Sequence, residues 1–129
     1  MRRSTALCCS LLLFVTVTGA FHYGWSQEVT ASITGEITDQ SGAAVAGAKV
    51  TATSEERGVT YTAITNESGL YRIAQLPVGT YGLKIEKAGF AVASHPPFIL
   101  TLNQVARVDT TMKVGQASET VEVLSLIHI

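Results

Sequence analysis

Residues 69–90 read GLYRIAQLPVGTYGLKIEKAGF, and the pattern of this stretch decides the fold. In its first half the apolar Tyr71 and Ile73 alternate with polar or small residues, and in its second half Tyr81, Leu83 and Ile85 do the same. A period of two puts one apolar face on each run, which is typical of half-buried β-strands. The sequence therefore predicts two strands whose five apolar side chains are buried.

A proline turn joins these two strands. The segment Leu76-Pro77-Val78-Gly79 combines a residue whose φ is fixed with one that accepts positive φ, so the chain can reverse without a long loop. The two strands are predicted to form a hairpin. Gly79 is expected to occupy a backbone region that is closed to β-branched residues.

The other strands come at short, regular spacing, which is typical of a β-sandwich. Two of the turns place Asp39 or Asn66 three residues before a glycine, where the side chain can bond the backbone ahead. Residues 94–97, SHPP, are predicted to stiffen a loop before the sixth strand. The predicted strands lie near residues 31–39, 48–54, 59–65, 70–74, 81–88, 98–102 and 105–114.

The turn glycines and their neighbours resemble the pattern of a known family, the carboxypeptidase regulatory-like domain. The matching elements are a Gly-x-Tyr, a Leu-Pro-x-Gly-x-Tyr and a Gly-Phe, and residues 33–50 resemble the family's opening segment. The resemblance covers residues 31–114. It implies structural turn and core roles for ten residues, which are Gly42, Gly47, Gly69, Tyr71, Leu76, Pro77, Gly79, Tyr81, Gly89 and Phe90.

The resemblance implies a fold and an absence of catalysis. The fold would be a seven-stranded antiparallel Greek-key β-sandwich of transthyretin-like (prealbumin-like) architecture. The family takes its name from an accessory domain of carboxypeptidases, and their zinc-binding catalytic unit is absent from this sequence. We therefore expect no enzyme activity, no cofactor and no metal.

The amino terminus has the pattern of a secretory signal peptide. Two arginines follow Met1, residues 6–17 form an uncharged apolar run, and small residues allow cleavage after Ala20 or Ser26. A membrane anchor is the alternative, but about a dozen apolar residues fall short of the roughly 20 that span a bilayer. Residues 1–26 are assigned to the signal peptide and residues 27–30 to a polar lead-in.

Removal of the signal peptide would also remove both cysteines, Cys8 and Cys9. A mature domain without thiols excludes disulfides, thiolate nucleophiles and cysteine metal sites. Without the two leader arginines, seven basic residues face ten acidic ones, a net charge of −3. Binding to nucleic acid or to anionic lipid needs clustered lysine and arginine, so neither is expected.

Few residues offer chemistry. His22, His95 and His128 share no metal-ligand spacing, and His95 is interpreted as an exposed loop residue. An oxygen-rich calcium site built from Asp39, Asn66 and Glu67 is the alternative to turn capping, but calcium takes about six to eight oxygen ligands. The arrangements that a serine hydrolase or a glycosidase requires are not visible.

Carbohydrate binding is the main alternative function, because sugar-binding modules share this sandwich and family members are described as having a carbohydrate-binding-like fold. Sugar platforms use exposed aromatic rings. The one tryptophan, Trp25, lies in or beside the signal peptide. Tyr61, Tyr71 and Tyr81 alternate with charged or small residues, which favours packing within the domain over sugar binding.

Residues 115–123, GQASETVEV, follow a signal peptide and one sandwich, and this order resembles the amino-terminal extension of TonB-dependent outer-membrane receptors. The resemblance implies an exported, non-catalytic binding or spacer domain at the periplasmic face of the outer membrane. Its partners would be the plug and barrel of the same receptor or a periplasmic protein. A secreted carbohydrate-binding module is the alternative.

The last residues, 124–129, break the polar alternation of the preceding segment with an apolar tail. Residues 115–129 are interpreted as a linker followed by a truncated or artefactual tail, since LSLIHI resembles a translated sequencing adapter. Such a tail is expected to lie apart from the sandwich without ladder pairing. A native edge strand is the alternative.

Overall fold

A computed structural model describes residues 30–115, 120–122 and 127–128, and these residues form strands, turns and connecting segments. No helix in this part of the chain is long and apolar enough to cross a membrane. The strands are β1 (Thr30–Asp39), β2 (Lys49–Ser54), β3 (Thr60–Ile64), β4 (Leu70–Pro77), β5 (Gly79–Glu86), β6 (Val92–Leu100), β7 (Val105–Val108), β8 (Thr110–Met112), β9 (Thr120–Glu122) and β10 (Ile127–His128).

The strands form two sheets, which confirms the predicted all-β sandwich. The first sheet has the order β10-β7-β1-β4, and β8 also pairs with β1. The second has the order β3-β2-β5-β6-β9. Both sheets are mixed rather than purely antiparallel, because β7 and β8 run parallel to β1, and β9 runs parallel to β6. A strand that returns from the opposite sheet, and not through a tight hairpin, can enter in either direction.

The predicted hairpin of β4 and β5 is wrong, because the two strands belong to different sheets. β4 pairs with β1, whereas β5 pairs with β2 and β6. Val78 alone separates them, so the chain turns a corner from one layer to the other. The Tyr81 hydroxyl donates to the Pro77 carbonyl at 2.8 Å and ties this corner together. Alternation shows that a strand has a buried face, but it does not show which strand lies beside it.

The glycine at this corner has the backbone conformation that the sequence predicts, with φ at +152°. A β-carbon on Gly79 would also lie 3.0 Å from Oε2 of Glu56. We expect Gly79→Val to lower the free energy of unfolding by about 1 to 3 kcal/mol through backbone strain. Val78→Ala alters an exposed side chain and should cost less than about 0.5 kcal/mol. Denaturant midpoints of the two variants test this, and equal stabilities would contradict it.

The core lies between the two sheets and contains the predicted side chains. All five alternating residues of β4 and β5 are buried, as predicted, with exposed fractions of 4 % or less. β1, β2 and β4 to β8 contribute buried side chains, and Tyr61 and Ala63 of β3 pack against them at the margin. The largest fully buried side chains are Tyr81, Ile33, Ile37, Leu76, Ile85, Leu100, Met112, Val50 and Val108.

The sixth strand begins earlier than predicted, at Val92, and it contains Pro96 and Pro97. Tyr81 pairs with Phe98 and Leu83 pairs with His95, so the two prolines stand opposite Gly82 alone. This is a β-bulge, in which one strand carries an extra residue that makes no ladder bonds. Proline lacks an N–H group and is tolerated at such a position. The predicted loop at residues 94–97 is therefore a strand.

The predicted strand over residues 105–114 is broken in two at Asp109. The Asp109 carboxylate accepts the backbone N–H of Glu36 at 2.8 Å, so a side chain takes the place of a backbone partner for β1 at the break between β7 and β8. Val114 is 76 % exposed and does not meet the core. The alternate residues that precede it in β7 and β8 are buried: Ala106, Val108, Thr110 and Met112.

Parts of the carboxyl-terminal segment pair with the sandwich. β9 adds to β6 through Val92, Ala93 and Ser94. Ile127 and His128 pair with β7, so the expected lack of ladder pairing is wrong for these two residues. The predicted signal peptide and Trp25 lie outside the described residues. The interpretation of the tail as truncated or artefactual remains a prediction.

Candidate functional site

The ten residues assigned by resemblance lie in turns and in the core. Tyr71, Leu76 and Tyr81 are buried, while Pro77 and Phe90 are half-buried, and Phe90 packs against the core. The glycines adopt positive φ at their turns: Gly42, Gly47, Gly69, Gly79 and Gly89. These residues shape the fold, and they do not converge on one cleft.

Two Asx turns use the oxygens that the calcium alternative would need. Asp39 accepts the backbone N–H groups of Ser41 and Ala43, and Asn66 accepts those of Ser68 and Leu70. A hydrogen bond from the Ser41 hydroxyl is the largest cause that lowers the pKa of Asp39. In the described part of the chain, no three His, Cys, Asp or Glu side chains form a group that could hold a metal ion. These side chains act as turn caps.

The loops that contain these turns are tied to one another. The Thr65 hydroxyl donates to the Val45 carbonyl at 2.6 Å and accepts the Ala48 N–H at 2.9 Å. The Ile37 N–H donates to the Gly69 carbonyl at 2.8 Å. The connections β1–β2 and β3–β4 therefore form one cross-linked end of the sandwich.

The β2–β3 turn reaches the corner between β4 and β5. Glu56 accepts the Thr80 N–H at 2.9 and 3.1 Å through its two oxygens. A hydrogen bond with the Thr80 side chain is the largest cause that lowers the pKa of Glu56, and the Thr80 N–H adds to it. The sequence alone does not predict this contact, since no local pattern relates Glu56 to a strand 24 residues away.

His95 is buried, so its interpretation as an exposed loop residue is wrong. It is 4 % exposed, and its Nε2 lies 2.6 Å from the Thr110 hydroxyl. Burial lowers its pKa. The two prolines that follow it in sequence suggest a loop, and only the β-bulge makes a strand compatible with them. His95 therefore connects β6 to β8 in the interior of the sandwich.

The aromatic rings of residues 30–115 do not form a sugar platform. Tyr71 and Tyr81 are buried, and Tyr61 packs edge-on against Tyr81 with ring centroids 6.2 Å apart. Within residues 30–115 the other rings are Phe90, which is half-buried, and Phe98, which is buried. The sugar-binding alternative would need exposed rings, and these five are used for packing.

Two open depressions lie on the surface. One, of about 320 Å³, is lined by Gly47, Glu86, Lys87, Ala88 and Val92. The other, of about 220 Å³, lies near the start of β1 and includes Gln104. Gln104 accepts the Thr101 N–H at 2.7 Å through Oε1, while its buried Nε2 has no partner among the described residues. Neither depression contains an arrangement that could act as a catalyst.

Strand edges are the remaining candidate surface. β9 and β10 cover the outer edges of β6 and β7. On the opposite side, β3 and β4 end their sheets and contact each other, and no described strand pairs with their outer edges. We call these two the open edges. An unpaired edge offers a row of N–H and C=O groups to another strand.

Comparison with known proteins identifies the family. The family model described as "Carboxypeptidase regulatory-like domain" matches residues 32–113. The chain belongs to the carboxypeptidase regulatory-like domain family. The match covers the sandwich from β1 to the end of β8, in agreement with the resemblance of the turn residues.

A curated relative is a TonB-dependent transporter, Oar, from Myxococcus xanthus. It is 35 % identical to this chain over 112 residues, which is 85 % of the chain and 11 % of the transporter. The chain thus spans about a ninth of the relative that it matches. This carboxypeptidase regulatory-like domain is homologous to a small part of a large transporter.

Solved structures share the fold. The match to the TIE protein of Bacillus anthracis covers 67 % of this chain and 17 % of the TIE chain, with a TM-score of 0.55 and 16 % identity. The match to the minor pilin GBS52 of Streptococcus agalactiae covers 70 % of this chain and 47 % of the pilin chain, with a TM-score of 0.54 and 15 % identity. At these identities the similarity concerns the sandwich alone.

Proposed function

We propose that this chain is the amino-terminal, non-catalytic periplasmic domain of a TonB-dependent outer-membrane transporter. The observation that carries the proposal is the 35 % identity to the transporter Oar over 112 residues. The identity extends through most of the chain, so it concerns the domain as a whole and not one short motif. Transport itself would belong to the plug and barrel.

A non-catalytic role agrees with how the polar side chains are used. Asp39 caps a turn, Glu56 holds the corner beside Thr80, and Asp109 holds the backbone of Glu36. His95 is buried against Thr110. General acid or base catalysis needs such groups within reach of a substrate, and here they stabilise the fold instead.

The domain would act as a rigid binding or spacer unit. Its loops at one end are cross-linked through Thr65, and its corner is tied by Tyr81 and Glu56. It would present its loops and the open edges of β3 and β4 to the plug and barrel of the same receptor or to a periplasmic protein. Export would depend on the predicted signal peptide.

The proposed location can be tested with two cysteine variants of the complete gene product in a Gram-negative host. Ala46 is exposed and Ala52 is fully buried, so Ala46→Cys and Ala52→Cys are matched small substitutions. We expect a membrane-impermeant maleimide to label Ala46→Cys only after the outer membrane is permeabilised. Ala52→Cys should react only after denaturation, which shows that the domain is folded.

Labelling of Ala46→Cys in intact cells would place the domain on the cell surface and contradict the proposal. Labelling that needs rupture of the inner membrane would place it in the cytoplasm and contradict the proposal equally. The unsubstituted chain is the control, since it reports any reaction of Cys8 and Cys9 in an uncleaved leader.

A further inference from the structure

The depression near the start of β1 contains a buried polar group without a partner, and we call it the Gln104 depression. Gln104 is 9 % exposed. Among the described residues, its Nε2 is the one buried side-chain nitrogen or oxygen that makes no hydrogen bond. Nearly all buried polar groups of folded proteins are paired, because an unpaired one costs free energy. The Nε2 group therefore needs an acceptor that the surrounding residues do not supply.

The orientation of the Gln104 carboxamide is fixed by its neighbour. The Thr101 N–H can only donate, and it lies 2.7 Å from Oε1, while the Thr101 hydroxyl lies 2.9 Å from the same oxygen. Exchange of the carboxamide oxygen and nitrogen would bring two donors together. The backbone is held as well, since the Gln104 carbonyl accepts the Ser32 N–H at 2.9 Å. Nε2 is thus a preorganised donor.

The depression has a positive charge on its wall. Among the described residues that line it, Arg72 is the charged one, and its exposed guanidinium makes no ion pair with another described residue. The same set of lining residues contains no Asp or Glu that would repel an anion. Ala74 and Val105 add apolar surface beside these polar groups. The lining suits a ligand that has a negatively charged oxygen and a short carbon skeleton.

The backbone around the depression is irregular. β4 carries a bulge here, with Ala74 and Gln75 opposite Ser32 alone. Gln75 and Asn103 both line the depression, and they are the two non-glycine residues of the described chain with positive φ, at +57° and +56°. Bulges re-aim side chains beside functional sites, and unusual backbone conformations cluster there. The bulge gives the depression its shape, while the ligand chemistry follows from Gln104 and Arg72.

We propose that the Gln104 depression binds the carboxylate of a small molecule. One carboxylate oxygen accepts from Nε2 of Gln104 and the other from the guanidinium of Arg72, which are hydrogen bonds strengthened by charge. One guanidinium balances the single charge of a carboxylate, but it balances only part of the charge of a phosphate group, which is about −1.5 to −2 at pH 7. The inference concerns binding by the domain itself and does not depend on the proposed location.

Access to Nε2 requires a small movement, because this nitrogen is screened from solvent. Gln75 and Asn103 are exposed at the rim, so their side chains can change rotamer and open a path for an acceptor oxygen. A water molecule that entered would satisfy the amide alone. A carboxylate satisfies the amide and neutralises Arg72 at the same time, which favours the anion.

A titration with N-acetylglycine, followed in proton–nitrogen NMR spectra of the purified chain, tests the site. The side-chain N–H signals of Gln104 should move and saturate, with a dissociation constant of about 1 mM for so small a ligand. N-acetylglycinamide has nearly the same shape without the charge and should bind at least tenfold more weakly. Inorganic phosphate should also bind more weakly than N-acetylglycine.

Two variants test the residues. Arg72→Gln removes the charge of an exposed side chain and should weaken the binding of N-acetylglycine at least tenfold. Gln104→Glu keeps an acceptor for the Thr101 N–H but replaces the donor with a negative oxygen, so it should abolish binding. Arg57→Gln is the matched control, because Arg57 is exposed in the β2–β3 turn and its substitution changes the net charge equally. This control should bind like the unsubstituted chain.

Any one of four results overturns the proposal. The first is a set of Gln104 side-chain signals that stay in place up to about 20 mM N-acetylglycine. The others are equal binding of N-acetylglycinamide, binding of phosphate that is as tight as that of N-acetylglycine, and an unchanged affinity in Arg72→Gln. Because Arg72 is exposed, its variant decides the matter even where Gln104→Glu fails to fold.

Discussion

Gly35→Ala is expected to remove a large part of the stability of this domain. Gly35 lies in β1, where an added β-carbon would stand 1.9 Å from the Val108 carbonyl oxygen and 2.9 Å from Cε1 of Tyr71. The first contact is with backbone, which cannot move aside as the end of a flexible side chain can. Overpacking costs about 1 to 3 kcal/mol, and loss of the Tyr71–Val108 hydrogen bond adds about 1 to 3 more. The sum, about 2 to 6 kcal/mol, is a large share of the stability of a small domain, which is about 5 to 10 kcal/mol.

Circular dichroism during urea titration measures this effect, and Gly82→Ala is the control. Gly82 is also a strand glycine, but a β-carbon there meets nothing closer than 3.4 Å, from the flexible Glu55 carboxylate. Its substitution should change the stability by less than about 1 kcal/mol. Equal midpoints for the two variants would mean that β1 and β7 do not approach each other this closely.

Tyr71→Phe is expected to cost about 1 to 3 kcal/mol, although it removes only one oxygen. The edge of the Tyr71 ring lies beside Gly35. Its hydroxyl donates to the buried Val108 carbonyl at 2.7 Å. Phenylalanine would keep the ring and leave that carbonyl without its partner. Tyr61→Phe alters a half-buried ring at the margin of the core and should cost less than about 0.5 kcal/mol. Urea midpoints that coincide for the two variants would contradict the buried bond.

The pH dependence of the same variant gives a second measurement. Burial, and to a lesser extent the charge of Asp109, raises the pKa of the Tyr71 phenol above its ordinary value. The unfolded chain then releases this proton first, so the stability is complete below pH about 10 and falls as the pH rises further. Tyr71→Phe should lose less stability than the unsubstituted chain over that range.

The sequence predicts those features of the fold that depend on local patterns. The alternation of Tyr71, Ile73, Tyr81, Leu83 and Ile85 shows which side chains are buried, because a strand places every second residue on one face. Turn chemistry predicts the caps at Asp39 and Asn66 in the same way. These features need no knowledge of which strands are neighbours.

Features that depend on distant neighbours could not be predicted in this way. The corner at Val78 places β5 beside β2 and β6, and no residue at the corner indicates that choice. His95 is predicted in a loop because the bulge opposite Gly82 becomes visible only when β5 and β6 are paired. Asp109 interrupts the last strand because it meets Glu36, which lies 73 residues earlier in the chain.

The same is true of the candidate surface. The sequence shows that residues 59–65 are uncharged and prone to form a strand, but it does not show whether this strand lies inside a sheet or at its end. An interior strand with that composition would be unremarkable. Its position at the end of the order β3-β2-β5-β6-β9 converts the same residues into an accessible edge.

The pairing of β1 with β8 has a consequence for how the chain is made. Ile37, Thr38 and Asp39 pair with residues 110–112, so the strand synthesised first obtains these partners only when the last part of the sandwich is available. Contacts between residues so far apart in sequence form late and slow the folding of a domain. The sandwich can therefore close only after β8 has been synthesised, so the first strand waits for the last strand of the matched domain.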